Sequence, residues 1–272
     1  MYRLVLSDLD GTLLNSEKRI SERTVQAVRK LTEKGVIFVP ATGRLDVMAK
    51  PYLKAMKHVS IVIGCDGAMV RNVKTGEILY ENTLPADTCR RVFEICRASG
   101  LSYYVFTKDC LVGDDRKNER LKIHQKFNQT VDPDEMIPIA FTEDLDQFVE
   151  DHPVCKIVAS HEETKYLDLT AEIIRQEVLV DATRSGKKVL GIKAAGVSKA
   201  AAMEKLADSL QIRLEETAAF GDEVNDMEML RKAGLGIAME NADDVVKKSA
   251  DDTTVSNDED GVAVKLEQLF DL

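Results

Sequence analysis

The stretch Leu4-Val5-Leu6-Ser7-Asp8-Leu9-Asp10-Gly11-Thr12 joins an apolar run directly to two aspartates. The apolar run is typical of a strand that is buried in a parallel sheet. Side chains two residues apart in an extended segment lie on the same side, so the two carboxylates are expected to come together. Neighbouring carboxylates repel each other unless a cation lies between them, and a hard divalent cation is the natural partner of oxygen ligands. The stretch therefore predicts a buried strand that ends at a metal site.

Strands and helices alternate on either side of the middle of the chain. A helix is predicted to begin after its N-cap Ser21 and to end at Gly35, followed by a short strand over Val36–Val39. A third strand is predicted over Val59–Ile63, and simple alternation resumes at Gly196. This order predicts an α/β fold with a doubly wound, parallel, Rossmann-like sheet. Ligands of such sheets bind at the carboxyl ends of the strands.

Residues 85–189 do not follow that alternation. The pattern there predicts several strands of an antiparallel sheet, among them two around the turn Ser185-Gly186-Lys187, together with helices. We therefore predict an α+β domain over residues 85–189, inserted into an α/β core domain formed by residues 1–84 and 190–272.

Composition excludes several classes of function. The chain has 272 residues and a formal net charge of −10 without a basic run, which disfavours nucleic acid and anionic membranes as partners. We find no apolar stretch of membrane-spanning length and no signal peptide, and we expect a cytoplasmic protein. The five cysteines show no CxxC spacing and the four histidines no HxxxH pair, so zinc and thiol chemistry are not expected.

Phosphoryl transfer through a carboxylate explains the polar residues at the predicted strand ends. An aspartate can attack phosphorus and form an aspartyl-phosphate, which water then hydrolyses. This chemistry needs a nucleophile, an acid/base, groups that hold the phosphoryl oxygens and a metal that neutralises them. From the residues alone, either Asp8 or Asp10 could attack while the other transfers protons. The further groups that the sequence offers are the Thr42 hydroxyl, the Gly43 backbone N–H, the charge of Lys199 and the carboxylates of Asp222 and Asp226.

Two of these positions have an ordinary structural explanation as well. Lys199 follows the N-cap Ser198, where the helix dipole disfavours a cation unless an anion is bound at that helix end. Lys187 and Lys193 are nearby, and spacing alone leaves the choice among the three lysines open. In the loop 221–226, capping of the next helix explains one acidic residue but leaves Asp222 unexplained, whereas a metal explains it.

The chain resembles the haloacid dehalogenase superfamily, and within it the Cof-type phosphatase branch (subfamily IIB). The similarity covers the whole chain and lies in four motifs in the family's order, with a fifth similar segment near the C-terminus. They are Asp8-Leu9-Asp10-Gly11-Thr12, Ala41-Thr42-Gly43-Arg44, Gly196-Val197-Ser198-Lys199, Gly221-Asp222-Glu223-Val224-Asn225-Asp226 and Ser256–Val262.

The resemblance implies a role for each motif residue. Asp8 is expected to be the nucleophile, and Asp10 the general acid/base, which also offers its backbone carbonyl to Mg²⁺. The implied metal residues are Asp8, Asp10, Asp222 and Asp226. The implied phosphate- and substrate-binding residues are Thr42, Gly43, Arg44, Lys199, Asn225 and Asn257. The inserted domain would be the cap that selects the substrate.

The sequence departs from the family pattern at two positions. Asp66 stands where relatives often have an asparagine, so that a carboxylate replaces an amide and the position becomes less favourable to a second anion. Ala200 replaces the glycine that often follows the motif lysine. Neither change removes a predicted catalytic group.

We therefore expect a magnesium-dependent phosphatase of small phosphorylated metabolites, such as sugar phosphates or phosphorylated cofactors, that is a monomer or a weak homo-oligomer. Two alternatives stay open. A phosphosugar mutase would use the same aspartate chemistry. A non-enzymatic phospho-aspartate signalling module is disfavoured by the second carboxylate, Asp10, and by the inserted domain.

Overall fold

Buried apolar side chains form separate cores in two parts of the chain. The computed structural model describes residues 1–184 and 186–272, so Ser185, in one of the predicted turns, lies outside the described residues. One compact unit consists of Met1–Tyr80 and Ser198–Leu272, and the other of Glu81–Val197. The core of the second unit runs from Leu84 to Ala194 and shares no residue with the cores of the first.

A parallel five-stranded sheet organises the first unit. Leu4–Ser7 lies between Ile37–Pro40 and Thr217–Gly221, with residue 4 opposite both Ile37 and Thr217. Leu235–Met239 and Asp252–Thr254 continue the sheet on the far side of Thr217–Gly221, again in parallel. The predicted doubly wound α/β fold is confirmed.

The apolar run of the first strand is buried on both faces of this sheet. Val5 contributes to one core, which includes residues of the helices Glu22–Glu33 and Gly261–Phe270. Leu4 and Leu6 contribute to the other, which includes residues of the helices Lys199–Ser209 and Met227–Lys232. Burial on both sides explains why this strand reads as a continuous apolar run rather than as an alternating one. Two shorter helices of this unit are Lys50–Leu53 and Asp244–Lys247.

The strand predicted over Val59–Ile63 belongs to a different sheet from the one expected. It spans Ile61–Gly64 and pairs antiparallel with Met69–Asn72, and Ile78–Glu81 completes a three-stranded sheet. An isolated parallel bridge joins Ala41 to Ile63. A short apolar strand has the same sequence pattern in a parallel and in an antiparallel sheet, so hydrophobic periodicity alone does not predict which sheet the strand joins.

The second unit is an α+β structure built on a six-stranded sheet. Its strands lie in the order Val180–Arg184, Val189–Ala194, Val154–Ser160, Ser102–Thr107, Leu111–Gly113 and Ile139–Phe141. Its helices are Ala86–Ala98, Glu119–Asn128, Leu145–Asp151 and Thr164–Glu177. Because Val189–Ala194 pairs with strands on both sides within this sheet, the unit extends to Val197 and past the predicted boundary at residue 189.

The helices are short in comparison with the thickness of a membrane. Thr164–Glu177 has 14 residues, whereas a membrane-spanning helix needs about 20 apolar ones. None of the helices within residues 1–184 and 186–272 has both the length and the apolar character that spanning a bilayer requires.

The five cysteines differ in exposure. All are free thiols, of which Cys110 is partly exposed and Cys65, Cys89, Cys96 and Cys155 are buried. Burial raises the pKa of Cys89 and of Cys96 to about 12, so these two thiols are protonated at neutral pH. Since the thiolate is the reactive form, the buried cysteines are expected to be inert while the protein is folded.

We predict that a disulfide reagent such as Ellman's reagent modifies one thiol of the native protein rapidly at pH 8. The remaining thiols are expected to react only after unfolding in guanidinium chloride, to a total of five. Cys110→Ser is the control and should abolish the rapid phase. A rapid phase that survives in this variant would contradict the burial described above.

Candidate active site

The predicted site residues of the first unit gather at the carboxyl edge of the parallel sheet. Asp8 follows the strand Leu4–Ser7, and Asp222 follows Thr217–Gly221, which is its neighbour. Thr42 lies just beyond Ile37–Pro40, on the other side. Lys199 opens the helix Lys199–Ser209, whose N-cap Ser198 accepts a hydrogen bond from the backbone of Ala201. Neighbouring parallel strands bring these residues together although they are far apart in sequence.

Lys199 is buried between two carboxylates. Its Nζ donates to Asp8 Oδ1 at 2.5 Å and to Asp226 Oδ1 at 2.7 Å, and its side chain is 1% exposed. Burial lowers the pKa of Lys199, but the charges and hydrogen bonds of Asp226 and Asp8 outweigh it and hold this pKa above its usual value. Lys199 is therefore a permanent cation. The other two lysines considered from spacing, Lys187 and Lys193, lie in the second unit.

Asp226 uses both of its oxygens within the protein. Besides Lys199, it accepts hydrogen bonds at Oδ2 from the backbone N–H groups of Asp222 and Glu223, each at 3.1 Å. Its side chain packs so closely on Gly221 that a Cβ at that position would come within 2.5 Å of it. Asp226, which was predicted as a metal residue, therefore also supports Lys199 and the acidic loop.

Asp222 is held by residues of the opening motif. Thr12 Oγ1 donates to its Oδ1 at 2.5 Å, and a Cβ on Gly11 would lie 2.3 Å from its Oδ2. Gly11 also has a φ of +88°, so this position needs glycine both for its backbone conformation and for the approach of the carboxylate. Burial, together with the charges of Asp226 and Glu223, raises the pKa of Asp222 to about 6, against the lowering effects of Thr12 and Lys199.

The donor set suits a hard divalent cation. Asp8, Asp222 and Asp226 each offer a carboxylate oxygen, and these atoms lie within 4.8 Å of one another. Lys199 is the cation hydrogen-bonded to Asp8 and Asp226. Burial raises the pKa of Asp8 well above its usual value, and the charges of Asp226 and Asp222 add to this against the pull of Lys199. Three carboxylates beside one lysine leave an excess of negative charge, which a divalent cation would neutralise.

The carboxylate of Asp10 points to different partners from those of Asp8. Arg44 holds it with two hydrogen bonds of 2.7 Å, and Lys18 Nζ donates to it at 2.8 Å. Burial raises the pKa of Asp10, but the hydrogen bonds and charges of Arg44 and Lys18 outweigh it and hold this pKa below its usual value.

The side chain of Asp10 therefore pairs with Arg44 and Lys18 and lies outside the cluster formed by Asp8, Asp222 and Asp226. The strand ends at Ser7, and the next residues form a turn closed by backbone bonds from Leu13 to Asp8 and from Leu14 to Leu9. The same-side rule holds only for extended backbone. That Asp10 offers its backbone carbonyl to a metal, as the resemblance implies, stays a prediction.

Four residues of the predicted phosphate- and substrate-binding set lie in segments that follow strands of the same unit. Thr42 is buried, and its Oγ1 accepts a hydrogen bond from the backbone N–H of Arg44 at 3.1 Å. Gly43 and Asn225 both meet the carboxylate of Asp66, to which Asn225 donates at 3.1 Å. Arg44, predicted to line the pocket, is engaged with Asp10 and with the Tyr52 hydroxyl.

Asn257 contacts backbone rather than the carboxylate cluster. Its Nδ2 donates to the carbonyl of Leu14 at 2.9 Å, and its N–H donates to Asn241 Oδ1 at 3.1 Å. Asn241 in turn donates to the carbonyl of Gly11 at 2.8 Å. The two asparagines thus fasten the turn that follows Asp8. Sequence reasoning missed Asn241, because a lone asparagine carries no pattern, and it passed over Thr12, although Thr12 stands in the opening motif.

A family model described as "haloacid dehalogenase-like hydrolase" matches residues 5–266. The chain belongs to this family. Its members include a 5-amino-6-(5-phospho-D-ribitylamino)uracil phosphatase of Bacillus subtilis, 32% identical over 274 residues that cover 99% of this chain and 98% of the relative. A pyridoxal phosphate phosphatase of Escherichia coli is 25% identical, with 96% of each chain covered. A haloacid dehalogenase-like hydrolase of Bacteroides thetaiotaomicron has the same fold, with a TM-score of 0.85 and 30% identity over 99% of this chain and 100% of that one.

The prediction that this haloacid dehalogenase-like hydrolase is an enzyme, and a phosphatase, is confirmed by these relatives. Membership in this family of hydrolases also excludes the alternative of a non-enzymatic signalling module. The four sequence motifs that carry the resemblance are the ones that supply the carboxylate cluster, Lys199 and the loops around them.

The burial of Lys199 predicts a large effect on stability. Lys199→Met leaves two buried carboxylates without their cation and is expected to lower the free energy of unfolding by about 3–5 kcal/mol. Lys232 offers a matched control, since its Nζ also lies near two carboxylates, of Glu204 and Glu228, at 3.1 Å each, but its side chain is 38% exposed. Lys232→Met is expected to cost about 1 kcal/mol or less. Urea unfolding with chelator present measures both, and equal losses would contradict the role assigned to burial.

Proposed function

We propose that the protein is a magnesium-dependent phosphomonoesterase that hydrolyses small phosphorylated metabolites through an aspartyl-phosphate on Asp8. The observation that carries this proposal is the position of Asp8, in contact with the buried cation Lys199 and clustered with the carboxylates of Asp222 and Asp226. A nucleophile for phosphorus needs positive charge beside it, because both it and the phosphoryl group are anionic.

The two motif aspartates are suited to different steps. A carboxylate oxygen of Asp8 would attack phosphorus and displace the alcohol, which takes a proton from Asp10. Asp10 would then remove a proton from the water that attacks the phosphorus of the aspartyl-phosphate, so that inorganic phosphate leaves and Asp8 is regenerated. The low pKa that Arg44 and Lys18 give Asp10 supports the second of these roles, in which it acts as a base.

The remaining groups would hold the phosphoryl oxygens and the metal. Lys199, the Thr42 hydroxyl and the Gly43 backbone N–H lie in loops at the same edge of the sheet and supply positive charge and hydrogen-bond donors. Mg²⁺ would be held by Asp8, Asp222 and the backbone carbonyl of Asp10, and it would neutralise charge on the phosphoryl oxygens.

The relatives support small phosphate esters as the substrate class. The Bacillus relative is named as a phosphatase of 5-amino-6-(5-phospho-D-ribitylamino)uracil, and the Escherichia relative as a phosphatase of pyridoxal phosphate. We propose the same class for this chain. Selection of the substrate by the unit Glu81–Val197 stays a prediction.

Asp8→Asn is expected to lower the rate of phosphate release by roughly 10³-fold or more, because the amide cannot attack phosphorus. The matched variant Asp10→Asn keeps the nucleophile; with p-nitrophenyl phosphate, whose leaving group needs no proton, it should form the aspartyl-phosphate, lose turnover because water is no longer activated, and so retain phosphate covalently on Asp8. Intact-protein mass spectrometry after mixing with substrate distinguishes the two variants. Retained turnover by Asp8→Asn would disprove the assignment of the nucleophile.

Metal dependence is tested with the unmodified enzyme and a panel of sugar phosphates and phosphorylated cofactors. We expect release of inorganic phosphate with Mg²⁺ and loss of that release with excess chelator, restored by adding Mg²⁺ back. Full activity in chelator would contradict the proposed metal. Conversion of a sugar phosphate to its isomer without phosphate release would favour the mutase instead.

A further inference from the structure

The short turn Cys65–Gly67 contacts three of the segments that surround the carboxylate cluster. The N–H of Asp66 donates to the carbonyl of Thr42 at 3.0 Å. Gly67 lies so near the start of the Lys199 helix that a Cβ on it would come within 2.1 Å of the carbonyl oxygen of Ser198. Asp66 reaches the acidic loop through its hydrogen bond with Asn225. Sequence reasoning noted only that a carboxylate in this turn is less favourable to a second anion.

Asp66 is the charged residue of that turn, and it is buried. Asp66 is 7% exposed, and its backbone φ is +57°. Aspartate and asparagine are among the non-glycine residues that tolerate this left-handed conformation best, so the backbone alone does not explain a carboxylate here. An asparagine would fit the same turn without a charge.

The carboxylate of Asp66 lies against two groups of the proposed phosphate pocket. Its Oδ1 accepts a hydrogen bond from Asn225 Nδ2 at 3.1 Å, and the same oxygen would lie 2.8 Å from a Cβ on Gly43. Because the nitrogen of a carboxamide donates and its oxygen accepts, this hydrogen bond sets the orientation of the Asn225 side chain. The contact with Gly43 fixes the position of the loop whose N–H is proposed to face the phosphoryl group.

The charge of Asp66 has a second consequence. A carboxylate this close to Gly43 repels any anion bound by that loop, and in a partly buried site one unit charge has a substantial effect over several ångströms. Inorganic phosphate, the product of the proposed reaction, is such an anion. A site that binds phosphate too tightly releases it slowly, and product release limits the rate of many enzymes.

We propose that Asp66 is a positioning residue of the phosphate pocket, which orients Asn225 and the Gly43 loop by its hydrogen bond and packing and weakens the binding of inorganic phosphate by its charge. This inference rests on the proposed function, because it takes the anion bound by the Gly43 loop to be phosphate.

Two substitutions separate the hydrogen bond from the charge. Asp66→Asn keeps an oxygen for Asn225 and the shape of the side chain but removes the charge. Asp66→Gly removes both and suits the left-handed backbone. We expect Asp66→Asn to bind inorganic phosphate roughly three- to tenfold more tightly than the unmodified protein, the size expected of one unit charge several ångströms away. We expect Asp66→Gly to bind it more weakly than Asp66→Asn and to have a higher KM, because Asn225 loses its anchor.

The measurements are the inhibition constant of inorganic phosphate, KM and kcat with Mg²⁺ present, and calorimetric titration of phosphate into each protein. Glu240→Gln is the control, since it removes the same charge from an exposed position and should leave phosphate affinity unchanged. Urea unfolding of each variant shows that it is folded.

Unchanged phosphate affinity in Asp66→Asn would overturn the role of the charge, and equal affinities in Asp66→Asn and Asp66→Gly would overturn the role of the hydrogen bond. Either result in an enzyme that hydrolyses phosphate esters would disprove this inference alone. Absence of both hydrolysis and phosphate binding in the unmodified protein would disprove the proposed function together with it.

Discussion

The buried ammonium group of Lys199 is the contact on which the rest of the site depends. A lysine that is 1% exposed is costly to bury unless its charge is matched, and Asp8 and Asp226 supply that match. Because these three residues come from three separate segments of the chain, their ion pairs fix the end of the first strand, the start of the Lys199 helix and the acidic loop relative to one another. The position of Asp8 is therefore set by the same interaction that gives it a cation.

The ion pairs of Lys199 do not neutralise all of the negative charge of the site. Carboxylate oxygens of Asp8, Asp222 and Asp226 lie within 4.8 Å of one another, and burial together with neighbouring acidic residues raises the pKa of Asp8 and of Asp222. A purely structural cluster would be more stable with fewer carboxylates or with one of them protonated. The arrangement is understandable as part of a binding site. The clustered carboxylates would attract a divalent cation, and that cation could in turn bind a phosphoryl group.

The sequence predicts the parts of the site that follow directly from buried strands. Apolar runs locate the carboxyl ends of the strands before Asp8, Thr42 and Asp222, and parallel pairing brings those ends together. Contacts that depend on where the chain leaves regular structure were not predictable. The turn after Ser7 redirects Asp10, and Asn241 reaches Gly11 from a segment 230 residues away. The predicted domain boundary at residue 189 falls at the start of the strand Val189–Ala194, which pairs on both sides within the sheet of the second unit.

The two aspartates of the opening motif show why that turn matters. Had the chain stayed extended, both carboxylates would have faced the same neighbours. Instead, burial and neighbouring carboxylates raise the pKa of Asp8, while Arg44 and Lys18 lower the pKa of Asp10. The turn thus gives the two aspartates of one motif different electrostatic surroundings. This difference depends on Gly11, since only a residue without a side chain takes this backbone conformation while Asp222 lies against it.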